Sequence, residues 1–258
     1  MSQITDLAAR LVDAAEHRAP IGPLTATAAD LSPEAAYLVQ DAVIAARVAR
    51  GARLTGAKLG LTSAAKQRQM NVSEPLYGWL TADMALDAGQ PLRCAGFIQP
   101  RCEPEIAFLL AADLAGPHVT AADVLAATAG VCPAIDVLDS RFSGYAFTLP
   151  DVIADNASGA AYLLGTTRSD PAAADLRLTG VVLEKNGELA ATAAGAAALG
   201  HPAAAVAWLV RALARRHRGL LAGQVVLSGG LTEAIAVAPG DVITARFDRL
   251  GTVELACR

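Results

Sequence analysis

Glu103 and Glu105 stand one residue apart in "QPRCEPEIAF", at the head of an apolar run from Ile106 to Leu110. If residues 101–110 form a strand, side chains alternate between its faces. The two carboxylates then share one face, with α-carbons roughly 6.5 Å apart, while Ile106 and Phe108 enter the core. Two close carboxylates repel unless a cation lies between them or one is protonated. Hard oxygen donors of this kind suit Mg2+ or Mn2+ better than zinc. The same spacing also fits a solvated acidic face on an edge strand. A third acid bears on the choice. Asp136 is embedded in "PAIDVLDSR", between Ile135 and Val137, and an aspartate in such a run needs a partner. Facing the Glu pair, it would complete one side of an octahedral metal site and leave positions for water and a chelating substrate. The other reading is a strand-end aspartate satisfied by backbone N–H groups, which suits Asp139 too.

Helices and strands must position these acids. Residues 4–18 read as an amphipathic helix with Ile4, Leu7, Leu11 and Val12 on one face. In "LSPEAAYLVQDAVIAARVARG", Ser32 is an N-cap, Pro33 suits the first helical position and Gly51 stops the helix. "TAADVLAATAG" opens with Thr120 and Asp123 in capping-box spacing, and Pro202 opens "HPAAAVAWLVRALARR". Asn186-Gly187 marks a hairpin, and "QVVLSG", "EAIAVAPGDVITARF" and "GTVELAC" read as further strands. Helices early and strands late predict an α+β chain with a mostly antiparallel or mixed sheet in its C-terminal two-thirds.

Composition narrows the function. The 258 residues carry a net charge of −4 without basic runs, so nucleic acid is not an expected partner. The dense "RALARRHRG" patch reads as the solvated face of a helix. No apolar run approaches ~20 residues, which predicts no membrane span, and the N-terminus lacks a signal-peptide pattern. The four cysteines show no CxxC spacing and read as free thiols of a cytoplasmic protein. His17, His118, His201 and His217 form no metal-spaced pair, and His201 reads as structural.

Several motifs carry a resemblance. "GAKLGLTS" (56–63), "PLYGWLTADM" (75–84), "EPEIAF", "PAIDVLDSR", "DVIADNASG" (151–159), "GHPAAAVAWL" (200–209) and "LSGGLTEAIAVAPGD" (227–241) occur in this order. Together they resemble the 2-keto-4-pentenoate hydratase and 4-oxalocrotonate decarboxylase group of the fumarylacetoacetate hydrolase superfamily, which degrades ring-cleavage products of aromatic compounds. The resemblance implies a fumarylacetoacetase-like mixed β-roll over residues 76–258, preceded by a helical N-terminal part at 1–75. It implies Mg2+ or Mn2+ on Glu103, Glu105 and Asp136, the last standing where relatives usually have Glu. It assigns Lys58 to the family's K-x-G-L-T-S lysine and Ser158 to its D-N-A-S serine, both as catalytic residues, with Asn156 ordering that loop. Thr62, Ser63, Leu76 and Thr232 are the expected pocket residues.

The group contains two reactions. A metal-chelated 2-keto acid forms a dienolate, and then either loses a vinylogous carboxylate as CO2 or accepts water. Hydration needs an acid and a base. Hydratase relatives often carry P-D-F-G or P-D-Y-G, whereas this chain has "EPLYG", with Leu76 in place of the acid. That residue, with "QMNVSEPLYGWLTADM" and "SGGLTEAIAV", favours the decarboxylase branch, because an apolar pocket favours charge loss. Glu74 and Asp83 are nearby in sequence and offer themselves as the acid a hydratase would need. A homo-oligomer, alone or complexed with a homologous hydratase or decarboxylase, is the expected assembly. A non-catalytic subunit of such a complex is the reading from another class.

Overall fold

The computed structural model describes residues 3–63, 67–68 and 72–258. The segment "QMN" at the start of one decarboxylase-like motif lies outside the described residues. Two amphipathic helices lead the chain, α1 (Gln3–His17) and α2 (Pro33–Ala49). Ser32 caps α2 by accepting the Ala35 N–H, Pro33 occupies the first turn, and Gly51 beyond the end takes φ +97°. Then come β1 (Leu54–Gly60), β2 (Leu76–Thr81), β3 (Ala85–Leu86) and β4 (Arg101–Leu110). A short helix α3 (Ala121–Ala126), opened by the expected Thr120–Asp123 capping box, leads into β5 (Thr128–Leu138). Helix α4 (Leu149–Ala154) precedes β6 (Gly159–Leu164). The hairpin β7 (Gly180–Lys185) and β8 (Glu188–Ala194) turns at Asn186 and Gly187, both with positive φ. Helix α5 (Pro202–Ala214) is followed by β9 (Val225–Leu227), β10 (Ile235–Ala236), β11 (Val242–Phe247) and β12 (Gly251–Ala256).

Among the described residues the strands form two sheets. The larger runs β2-β1-β9-β4-β5-β6-β3, with β10 beside β4; β1–β9 and β3–β6 are parallel and the other pairs antiparallel. The smaller runs β12-β11-β7-β8. The mixed sheet agrees with the sequence reading. Its start does not coincide with residue 76: Leu54–Gly60, inside the expected helical part, is an interior strand between β2 and β9. Alternation is hard to see in "LTGAKLG" because Gly56 and Gly60 supply no side chain. Gly56 instead permits close pairing, since a Cβ there would lie 1.8 Å from the Val225 carbonyl oxygen.

One face of the large sheet carries the main core. Ala57, Leu59, Ile106, Phe108, Val131, Ile135, Val137 and Val226 pack there with Val206, Leu209, Val210 and Leu213 of α5. Burying each large side chain contributes about 1.5–3 kcal/mol. Residues Gly195–Ala214 have the length and mean hydropathy, 1.3, of a candidate membrane span, which corrects the expectation that no such run exists. Their hydropathy is accounted for by burial: nine residues of α5 are buried. His201 caps α5, its Nδ1 accepting the Ala203 N–H at 2.9 Å, in the structural role expected of it. A second cluster joins α1, α2 and α4 around Leu76 and Phe142. Gln40 of α2, fully buried, donates to the carbonyls of Tyr77 (2.9 Å) and Ile153 (2.8 Å), fixing the helices on β2 and α4. All four cysteines are free and buried.

Candidate active site

The site occupies the other face of the large sheet, and strand register assembles it. Glu103 pairs with Asp136 across β4–β5, and Glu105 pairs with Ala134. Directly paired residues share a face, so the alternation that sends Ile106 and Phe108 into the core puts all three acids on the opposite side. Lys58 pairs with Leu227, which pairs in turn with Ala107. That places Lys58 on the acids' face, two strands from β4.

All four side chains are buried: Glu105 and Asp136 at 0% exposure, Lys58 at 1% and Glu103 at 8%. The Lys58 Nζ stands 2.6 Å from Asp136 Oδ2 and donates to the Ala157 carbonyl at 3.0 Å. The Gly229 N–H donates to Glu105 Oε2 at 2.6 Å, while Glu105 Oε1 is buried and accepts no hydrogen bond among the described residues. Burial, and next the Asp136 charge, push the Glu105 carboxyl well above the usual carboxylate range; Lys58 pulls the other way. Gly230 makes room for Glu103, because a Cβ there would lie 1.8 Å from Glu103 Oε2.

Among the described residues, the three carboxylates share this face with the Lys58 ammonium, a donor set of the kind that holds a divalent cation. Hard oxygen donors and the orphaned Glu105 Oε1 fit such an ion. The acids do not converge as a ready ligand set, however. Among the described residues no three Asp, Glu, His or Cys side chains come together as a metal cluster. Asp136 lies against Lys58 instead, because a buried carboxylate with an ammonium in reach gains more from that pair than from standing beside two like charges.

A cavity of about 310 Å³ opens beside these groups. Its lining combines the polar Lys58, Glu103 and Ser158 with the apolar Leu61, Leu76, Phe147 and Val152. Leu76, one of the expected pocket residues, is among the residues that line this cavity. Thr62, Ser63 and Thr232, the other expected pocket residues, are not among the lining residues. Thr62 packs against Gly229, and the Thr232 hydroxyl donates to the Glu233 carbonyl at 3.0 Å. Glu74 and Asp83 pair elsewhere, with Arg215 at 3.8 Å and Arg47 at 3.2 Å. Asp139 accepts the Ile98 and Gln99 N–H groups, as expected of a strand-end aspartate.

Several site residues were not singled out in the sequence. Arg101 lines the cavity and stacks its guanidinium 4.0 Å above the Tyr145 ring. Its signal was available, since it precedes Glu103 by two and therefore shares its face. Glu233 lies exposed at the cavity rim. Gly229 and Gly230 cradle the carboxylates; paired glycines directly after a short strand mark a close backbone approach. Asp155 is fully buried, paired with Arg141 through a short contact to the guanidinium and accepting the Arg141 N–H at 3.2 Å. Burial raises its carboxyl to about 6 against the opposing pull of Arg141.

Ser158 ends an unusual turn. Asn156, Ala157 and Ser158 have φ of 53°, 54° and 54°. The left-handed region costs an L-residue about 1–2 kcal/mol, Asn least, so three in succession need support from their surroundings.

Residues 42–257 match the Fumarylacetoacetate (FAA) hydrolase C-terminal family, and the chain belongs to that family. It is 43% identical over 219 residues to a 4-oxalocrotonate decarboxylase of Pseudomonas putida, covering 85% of this chain and 83% of that protein. It is 39% identical over 248 residues to a 2-hydroxyhexa-2,4-dienoate hydratase of Comamonas testosteroni, covering 95% and 94%. Among solved structures it resembles the 4-oxalocrotonate decarboxylase from Pseudomonas putida G7 complexed with magnesium and adipate. That match has a TM-score of 0.96 at 39% identity, over 99% of this chain and 97% of that one.

Proposed function

We propose that this chain is a divalent-metal-dependent lyase of aromatic ring-cleavage catabolism, a decarboxylase of 2-oxo-3-hexenedioate (4-oxalocrotonate). The carrying observation is a cavity lined by Glu103, Leu76 and Lys58, the last paired with the buried Asp136. Mg2+ or Mn2+ would be held by Glu103, Glu105 and Asp136. When bound, the ion supplies a Lewis acid that draws electrons toward the ketone of a 2-keto acid. Lys58 fixes a substrate carboxylate and stabilises negative charge on the forming dienolate. Ser158 orients substrate by hydrogen bonding. Leu76, Phe147 and Val152 strip water from the far carboxylate, which favours its departure as CO2. The C5–C6 bond breaks, its electron pair enters the dienolate, and a solvent proton completes the product.

The magnesium- and adipate-bound relative supports a six-carbon diacid as the substrate class. The second reading, 2-keto-4-pentenoate hydratase, is favoured by one observation: Glu233 at the cavity rim is an acid within the pocket lining. The buried charged constellation argues against a non-catalytic subunit, because unused buried charge is costly to keep. Assembly into a homo-oligomer, or with a homologous hydratase, belongs to the same reading; native mass spectrometry tests it. For the activity, chelated protein is given 2-oxo-3-hexenedioate and the ultraviolet change is followed as Mg2+ is restored. Parent protein regains turnover and Glu105→Gln does not. Turnover that survives chelation contradicts the metal assignment.

A further inference from the structure

The left-handed turn at 156–158 lies between the backbone of β2 and the side chain of Lys58. On the β2 side, Asn156 Oδ1 accepts the Trp79 N–H at 2.7 Å and its Nδ2 donates to the Trp79 carbonyl at 2.9 Å. The turn closes so tightly over Gly78 that a Cβ there would stand 2.5 Å from the Asn156 carbonyl oxygen. Gly78 is also the register partner of Lys58 across β1–β2. On the Lys58 side, the Ala157 carbonyl accepts from Nζ at 3.0 Å, and a Cβ at Gly159 would meet Lys58 Cδ at 3.0 Å. The turn thus grips both the end and the stem of the lysine. Its conformation is unfavourable for the chain alone, and the paired bonds to Trp79 reproduce the donor and acceptor of a neighbouring strand.

We propose that Asn156 is a positioning residue. Its two bonds to the Trp79 backbone hold the left-handed turn, the turn holds the Ala157 carbonyl on Lys58, and the ammonium is thereby kept against Asp136 at the cavity. The proposal rests on the reading of Lys58 as the group that acts on substrate. Glycine takes the left-handed conformation freely and lacks the amide, so Asn156→Gly removes the clamp without straining the turn.

The test is a double-mutant cycle with 2-oxo-3-hexenedioate and Mg2+, using Asn156→Gly, Lys58→Met and the pair, each checked by thermal melting. In Asn156→Gly, kcat falls about 10–100-fold, a larger change than the one in KM, as a misplaced catalytic group produces. The double variant is about as active as Lys58→Met alone, because the two residues act as one unit. If Asn156→Gly does not fold, Asn156→Asp carries the comparison, keeping the acceptor for the Trp79 N–H and losing the donor. A clamp variant within about twofold of parent kcat, while Lys58→Met is crippled, overturns the positioning role alone. Losses that multiply independently overturn it too. An Lys58→Met enzyme of nearly full activity removes the underlying reading of Lys58, and the proposal with it.

Discussion

A buried lysine needs polar partners, and Lys58, at 1% exposure, has Asp136 at 2.6 Å and a backbone carbonyl at 3.0 Å. Removing either member of such a pair leaves the other buried and uncompensated, typically at a cost of about 3–5 kcal/mol. Asp136→Ala should therefore lower stability by about that much, measured by urea unfolding, whereas a loss below about 1 kcal/mol would mean that water replaces the pair. Lys58→Met should lower kcat by roughly 10²–10³, and a fall of under about threefold would leave Lys58 a structural ion-pair partner. The types and spacing of the acids were legible in the sequence because period-two alternation is a local rule. Whether Asp136 meets a metal or an ammonium was not, because the geometry depends on β1, which lies two strands from β4. Glu74 and Asp83 were misleading for the same reason: closeness along the chain did not bring them to the cavity, and Arg215 and Arg47 pair with them instead.

Elements position these residues through backbone contacts that sequence periodicity does not encode. The Gly229-Gly230 turn follows β9 and meets both glutamates, one by an N–H and one by the absence of a side chain. Gly230→Ala should push the Glu103 carboxylate aside and weaken Mn2+ binding at least about tenfold, read by isothermal titration, with the fold retained. Unchanged affinity would separate this turn from the proposed metal site. In the smaller sheet, Asp241 accepts from Asn186 Nδ2 at 2.9 Å and pairs with Lys185 at 2.8 Å, tying the β7–β8 hairpin to the turn before β11. Lys185 and Asn186 hold its carboxyl down at about 2. A carboxyl depressed in the folded state contributes stability above its ordinary pKa of about 4 and loses it as pH falls toward the folded value. Asp241→Asn should melt lower than the parent at pH 7, and the gap should narrow between about pH 4 and pH 2. A gap constant with pH would contradict the assignment. Capped helices and the Asn-Gly hairpin were legible because their signals lie within a few residues. The 156–158 turn was not, since "NAS" carries no positive-φ signal beyond its asparagine.

At the scale of the whole molecule, one sheet separates two jobs. Its α5 face supplies the main core, and its other face holds charge that no core would accept unpaired. The leading helices close that second face through Leu76, which belongs both to their apolar cluster and to the cavity wall. On the proposed reading, the choice between decarboxylation and hydration lies at this junction of elements. Motif order along the chain made the family legible; the proposed branch rests on the cavity residues expected around the far end of the substrate. The most direct measurement gives purified protein with Mg2+ either 2-oxo-3-hexenedioate or 2-hydroxypentadienoate, and quantifies CO2 and hydrated product. The account predicts fast CO2 release from the diacid, slow hydration of the dienoate, and a slower decarboxylation in Leu76→Asp. Efficient hydration without CO2 release would contradict it.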